Sequence, residues 1–398
     1  MRVVLNAPPG FGKSRLLAKL AASYKPSLVF VRSHVEGFQM ARYIREFGEE
    51  ASLLFGRAAL CPFGASTAAQ CLSLREGGVC KATSKTLSKY VPDVEAVYEA
   101  GVCPYEFFHA SARGRRVAVL PLAYLSKVGN VSAVADLFEE VAFVALDEVH
   151  NFLSVVPVGD DEFYSRRYCA EEGGLLLCLA LPLVGELARR APRLMAASAS
   201  VVRHFADIFT YFLSSQYIQV EELPGRENLE VEYIPLEIRY RTRLRPTYVE
   251  KVVDVIKRTY EQYRRVVAFF PNKELASYYA AKMDGLPVSD KPLGDIDHVV
   301  VTYFGSPLSE GVNLSVKAGV LVGFPFPNVK SRELWLKVRL LDRLGFGGYK
   351  YGILFTAVNN VVQAAGRVAR GLTEERKHIA LVDDRFLQYR RLLPSYLQ

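Results

Sequence analysis

The feature that most constrains this chain lies at its start. A short apolar run, Arg2 to Asn6 (RVVLN), breaks at Pro8, Pro9 and Gly10, and apolar residues then recur at helical spacing from Lys13 to about Tyr24. The joint reads Ala7-Pro8-Pro9-Gly10-Phe11-Gly12-Lys13-Ser14. Glycines at 10 and 12 let backbone N–H groups turn inward, and a helix N-terminus adds its positive end, so the loop suits phosphate. Lys13 would reach terminal phosphates and the Ser14 hydroxyl a magnesium ion. Pro9, Gly10, Phe11, Gly12, Lys13 and Ser14 are therefore the candidate nucleotide-binding residues, although Ala7 replaces the first glycine of the general pattern. A strand, loop and helix joined in this way belong to a parallel α/β sheet.

The rest of the chain continues that theme. Strand-like runs recur at 27–32, 116–120, 141–146 and 193–198, with a helix expected from about Gly37 to Glu46 and a helical stretch over 175–190. The stretch 56–101 breaks the alternation, being polar and rich in Gly, Ser, Thr and Cys. EELPGREN, residues 221–228, reads as a linker. Beyond it, strands at 265–270, 298–303, 319–323 and 377–382 predict a second α/β body, so the expected domains are 1–225 and 226–398. With 50% hydrophobic and 23% charged residues, the 398-residue chain is neither disordered, collagen-like nor a disulfide miniprotein. No run of about 18 apolar residues and no leader-like start is present, so a cytoplasmic protein with no membrane partner is expected. The net charge of +8 favours an anionic partner without defining one.

Two further motifs carry chemistry. Asp147 and Glu148 open DEVH directly after the apolar run VAFVAL, at the strand end where α/β ligands bind. Asp147 would hold magnesium, directly or through water, and Glu148 would polarise an attacking water. Alone the pair reads better as a solvated acidic turn, and the phosphate loop upstream is what favours the chemical reading. On the expected helix QAAGRVAR, Gln363, Arg367 and Arg370 are candidates for the far side of a phosphate site, with the two arginines three apart on one face. Such a pair can neutralise charge on a transferring phosphoryl group, or be an ordinary basic face.

Together these motifs resemble the superfamily 2 helicases of the XPD family, the iron–sulfur helicases related to bacterial DinG. Other segments fall in the family's order: Val31-Arg32-Ser33-His34, Ala197-Ser198-Ala199-Ser200, Ala268-Phe269-Phe270-Pro271-Asn272, Leu308-Ser309-Glu310-Gly311-Val312-Asn313, Gly323-Phe324-Pro325-Phe326-Pro327-Asn328 and Asp383-Asp384-Arg385-Phe386. The resemblance implies two RecA-like, P-loop NTPase motor domains of class α/β with a small cysteine-rich insertion in the first. It also implies ATP and Mg2+ in the interdomain cleft, Glu310 and Gly311 on the nucleotide, and a monomer that moves 5′ to 3′ on single-stranded or forked DNA in repair. The alternative is a DNA-binding ATPase or scaffold that unwinds little.

The same resemblance implies a 4Fe–4S cluster on Cys61, Cys71, Cys80 and Cys103, with the insertion at 56–110. Buried thiols or zinc are the other readings, zinc being weaker because no CxxC pair is present. Cys169 and Cys178 lie outside the interval and are expected in the core. Only 47 residues separate His150 from Ser198, so the family's arch domain would be vestigial over 151–192. Nucleic-acid contacts are expected from Arg32 and His34 by resemblance. Arg113 is a further candidate, as is Arg241, which lies in an arginine run of period two from Arg239 to Arg245 that on a strand would share one face or, in a linker, would simply be solvated.

Overall fold

The computed structural model describes residues 1–83, 87, 93–114, 116–122, 124, 141–158, 166–309 and 314–398. Its strands are β1 (Arg2–Asn6), β2 (Ser27–Val31), β3 (Ala51–Leu53), β4 (Val117–Pro121), β5 (Phe143–Leu146), β6 (Val155–Val158), β7 (Cys169–Glu172), β8 (Leu175–Leu179), β9 (Arg193–Ser198), β10 (Gln216–Gln219), β11 (Leu229–Ile234), β12 (Val266–Phe270), β13 (Val288–Ser289), β14 (Val299–Tyr303), β15 (Ala318–Val322) and β16 (Lys377–Val382). The helices that bear on the site are α1 (Lys13–Ser23), α2 (His34–Glu46), α3 (Arg57–Leu60), α4 (Ala68–Glu76), α5 (Val94–Glu99), α6 (Pro104–Gly114), α7 (Ala180–Ala188), α8 (Ala206–Leu213), α9 (Pro246–Tyr263), α10 (Lys273–Ala280), α11 (Arg332–Arg343) and α12 (Phe355–Val368).

Two compact units share the chain. The first comprises Met1–Leu5, Gly12–Ala197 and Ile208–Ile218, and the second Asn6–Phe11, Ser198–Asp207 and Gln219–Gln398. The first unit is built on a seven-stranded sheet in the order β10-β1-β9-β5-β2-β4-β3. Here β2 pairs in parallel with both β4 and β5, and β5 with β9. Strands β2, β4 and β5 are buried at every position, which is why they read as unbroken apolar runs rather than alternating ones.

Strands β6, β8 and β7 form a separate antiparallel sheet, crosslinked by a Cys169–Cys178 disulfide between β7 and β8. The two cysteines are buried, as expected of core residues, and the pairing adds a crosslink that the spacing did not announce. The helical stretch expected over 175–190 is half strand: β8 occupies its start and α7 its end. The run LLLCL has the apolar density of a buried helix or strand, and length alone could not choose between them.

The second unit carries a six-stranded parallel sheet, β11-β16-β15-β12-β14-β13. Its core joins β12, β14 and β15 to the apolar stripe of α9, whose Val249, Val252, Val253 and Ile256 are all buried, and to Leu275, Ala276 and Tyr279 of α10. Pro246 starts α9 at a position where a missing N–H costs nothing. A π-helical turn, Tyr349–Leu354, runs directly into α12. No helix among the described residues is long and apolar enough to cross a membrane.

Candidate functional site

In the first unit, Lys13, Ser14, Asp147 and Glu148 stand at the carboxyl ends of the strands, and the loop that leads to them begins in the second unit with Gly10. Gly10 and Gly12 both take left-handed backbone angles, φ 82° and 85°, with open space where a Cβ would stand. Only glycine adopts that conformation cheaply, and it turns the loop from β1 into α1. Lys13 begins α1 and is buried, and Ser14 follows it. Opposite stands Asp147, just beyond β5 and 7% exposed, which accepts a hydrogen bond from the Ser14 hydroxyl. Burial and the neighbouring Glu148 hold the Asp147 carboxyl well above the usual carboxylate range, against the pull of Ser14 and Lys13. A carboxylate so placed is costly by itself and is relieved by a cation.

Glu148 has φ 47° and ψ 55°, a left-handed conformation that a side-chain-bearing residue rarely takes. Strain of this kind costs on the order of 1–3 kcal/mol and gathers at functional positions. His150 Nδ1 lies 3.3 Å from Glu148 Oε2, so the last residue of DEVH orients the second.

Arg32 and His34 flank the end of β2, which neighbours β5 in the sheet. Ser33 between them caps α2: its hydroxyl accepts from Glu36 N at 3.3 Å while Glu36 Oε2 accepts from Ser33 N at 3.2 Å. The S-x-x-E signature therefore starts α2 at His34, earlier than the Gly37 expected from apolar periodicity. His34 packs on Phe55 with ring centroids 4.8 Å apart, and burial pushes its pKa down. Arg113 lies on α6, and its side chain is outside the described residues.

In the second unit, Gln363 and Arg367 lie on α12, where they share a face with Asn359 at spacing i, i+4, i+8. Gln363 Nε2 is buried without a hydrogen-bond partner, and Arg367 is 7% exposed. Arg370 lies two residues beyond the helix end and is exposed, so the arginines do not form the expected same-face helical pair. Gly366 explains itself by contact: a Cβ there would come to 2.8 Å from Cγ of Pro9, which belongs to the same unit. The helix of Gln363 and Arg367 is thus seated on the start of the phosphate loop. Glu310 and Gly311 lie outside the described residues.

The arginine run 239–245 is not a strand. Residues 240–244 form turns, and Arg239 is bound to Asp384 through two bonds of 2.7 and 2.8 Å and to Asp383 at 3.2 Å. Period two had suggested a strand face, but Pro246 and the α9 N-terminus end any extension there. Arg241 is exposed on a turn. Asp383, 1% exposed, also accepts from Phe324 N at 2.9 Å and from Arg385. The DDRF ending thus holds the Gly323–Asn328 loop in shape.

One surface escaped sequence reasoning. On α11, Trp335, Arg339 and Arg343 follow at i, i+4, i+8 and all are exposed, with Arg332 one turn earlier. The Trp335 indole N–H donates to Val329 O at 2.6 Å, which fixes a ring that is 48% exposed. A tryptophan at helical spacing with arginines was the available signal.

The four cysteines of the insertion are free thiols on or beside α3, α4 and α6. Burial disfavours the Arg75 guanidinium, but Glu106, Cys71 and Cys103 more than offset it, which places a cation beside two thiols. Among the described residues no three Cys, His, Asp or Glu side chains are grouped closely enough to hold one metal ion. Four thiols are the donor type that a 4Fe–4S cluster takes.

The fold and the loop-and-carboxylate geometry define a two-sheet P-loop protein of RecA-like design. Residues 248–398 match the family model of the helicase C-terminal domain. No curated protein matches the chain in sequence. Among solved structures, an XPD helicase superposes with a TM-score of 0.72 at 17% identity, covering 98% of this chain and 94% of the other. Xpd4 of S. tokodaii gives 0.61 at 15% identity, covering 98% and 93%, and an apo XPD structure gives 0.58 at 14%, covering 98% and 94%. The chain therefore has the fold of the XPD helicases.

Proposed function

We propose that the protein is an ATP-driven motor on single-stranded DNA, a helicase or translocase of the XPD type. The observation that carries this reading is the buried Asp147 hydrogen-bonded to Ser14 beside the left-handed Glu148. Ser14 and Asp147 would hold magnesium, which when bound would supply charge neutralisation, and Lys13 would take the terminal phosphate oxygens. Glu148 accepts a proton from the attacking water as its oxygen bonds to the terminal phosphorus and the bond to the leaving diphosphate oxygen breaks. His150 stands beside Glu148, and the resemblance to XPD gives Arg367 a charge-neutralising role with Gln363 as its companion on the same helix.

The stripe of Trp335, Arg339 and Arg343 supports single-strand binding, since it joins an exposed aromatic face to cations one helical turn apart. Movement 5′ to 3′ and a role in repair follow from the resemblance to XPD. Cys61, Cys71, Cys80 and Cys103 would hold a 4Fe–4S cluster, which when bound would staple the insertion. Anaerobically purified protein should then absorb near about 400 nm and contain iron; a colourless, iron-free protein would remove the cluster.

The motor is tested by ATP hydrolysis with and without single-stranded DNA, beside strand displacement on a 5′-tailed fork. DNA-stimulated hydrolysis abolished by Lys13→Ala is expected. Hydrolysis without displacement would mark a translocase, and no hydrolysis under any condition would overturn the motor.

A further inference from the structure

Two helices of the cysteine-rich insertion meet through one ion pair. Arg75 lies in the last turn of α4, four residues and therefore one helical turn after Cys71, and Glu106 lies in the first turn of α6, three residues after Cys103. Arg75 Nη2 stands 3.1 Å from Glu106 Oε1. Backbone bonds tie further cysteine segments to the same place. Cys80 N donates to the carbonyl of Leu74, the residue before Arg75, at 2.9 Å, and Cys103 N donates to Thr83 O at 2.9 Å. All of these residues belong to the first unit.

The guanidinium is left incomplete on the side away from the carboxylate. Both side chains of the pair are partly exposed, yet Arg75 Nε is buried and has no hydrogen-bond partner among the described residues. A buried donor without an acceptor costs about 1–3 kcal/mol, so an acceptor arriving there regains that energy. Cys71 and Cys103 lie within electrostatic reach of this cation. Sulfur carrying negative charge is an acceptor that suits an arginine N–H, and hydrogen bonds to the sulfurs together with nearby charge are what tune a bound cluster.

We propose that Arg75 is the charge partner of the iron–sulfur cluster, its Nε–H donating to a cluster sulfur while Glu106 holds the guanidinium in place and tempers its charge. The inference rests on the cluster reading above. Reduction makes an iron–sulfur core on four thiolates more negative, so a cation beside it favours the reduced form and a carboxylate the oxidised one. The two residues therefore act on the midpoint potential in opposite directions, which a merely structural role would not produce.

The test uses the full chain and its variants, reconstituted anaerobically with iron and sulfide, with iron counted per chain. Each is titrated with dithionite, which supplies one electron per cluster with no bond made or broken. Arg75→Ala should lower the reduced-to-oxidised ratio at a fixed potential by roughly tenfold, a midpoint about 59 mV more negative. Arg75→Lys keeps the cation and loses the planar fork, and should fall between Arg75→Ala and wild type. Glu106→Gln should move the midpoint the other way. If Arg75→Ala retains no iron, the opposed shifts of Arg75→Lys and Glu106→Gln carry the same test. Variants that hold iron with the wild-type midpoint, or that all shift it in one direction, overturn the pairing and leave the cluster standing. A wild-type chain that takes up no iron overturns both readings.

Discussion

The Ser200 hydroxyl donates to Asn359 Oδ1 at 2.5 Å, and Ser198 Oγ in turn accepts from Ser200 N at 3.1 Å. Both serines are fully buried, and both belong with Asn359 to the second unit. Since Asn359 shares its helix face with Gln363 and Arg367, the segment after β9 is bonded to the helix that carries the proposed finger. Asn359→Ala leaves the buried Ser200 hydroxyl only Ser198 Oγ, 3.2 Å away, and should cost about 1 kcal/mol of stability. It should also lower DNA-stimulated ATP hydrolysis more than basal hydrolysis, which paired assays on one preparation would read.

Glu148 links strain to chemistry. Glu148→Gly removes the left-handed penalty and should raise stability by about 1 kcal/mol, measured by denaturant unfolding. The same change removes the base, so hydrolysis should fall by roughly 100-fold or more. A variant that is both more stable and inactive would be the mark of a strained functional residue.

Nucleic-acid binding should divide by residue type. Trp335→Ala should weaken single-strand binding about tenfold with little change in salt dependence, because stacking releases no counterion. Arg339→Ala should instead reduce the slope of log affinity against log salt by about 0.7.

Arg2 closes the ends of two helices. Its guanidinium donates to Ala188 O and Ala191 O, both at 2.9 Å, within and beyond the end of α7, and to Leu213 O at 2.8 and 3.1 Å at the end of α8. Arg2→Met leaves these carbonyls to water or to nothing and should cost about 2–3 kcal/mol in urea unfolding.

Lys337 works against the fold. Burial pushes its ammonium down to about 8, with only Thr356 Oγ1 nearby at 3.5 Å and Glu333 opposing the shift. Below pH 8 both folded and unfolded chains carry the proton, so the full penalty is present. Between about 8 and the ordinary 10.5 the unfolded chain binds more proton, and stability rises with pH. Lys337→Met should therefore stabilise by on the order of 1 kcal/mol at pH 7. The gain should shrink toward pH 10, as thermal melts at the two values would show.

What could be read before the structure divides along physical lines. The buried parallel strands were legible because a strand covered on both faces must be apolar throughout, and β1, β2, β4, β5, β9, β12, β14, β15 and β16 all fall where such runs occur. The phosphate loop was legible because glycine is needed where φ turns positive. The Arg239–Arg245 segment stayed open between strand and linker because period two records spacing, not extension, and the acidic partners Asp383 and Asp384 lie far along the chain. The left-handed Glu148 and the Ser200–Asn359 bond had no local signature at all, since each is imposed by packing between segments remote in sequence.

The π-helical turn Tyr349–Leu354 has a consequence for how such a chain can vary. A π turn holds one residue more than an α turn, and one residue on a helix is about 100° of rotation. Deleting a single residue there would let the turn relax to ordinary winding and swing Asn359, Gln363 and Arg367 off their common bearing, with every side chain still present. Substitutions at an exposed position of this turn, such as Tyr349, should thus be tolerated in a lineage where gaps are not.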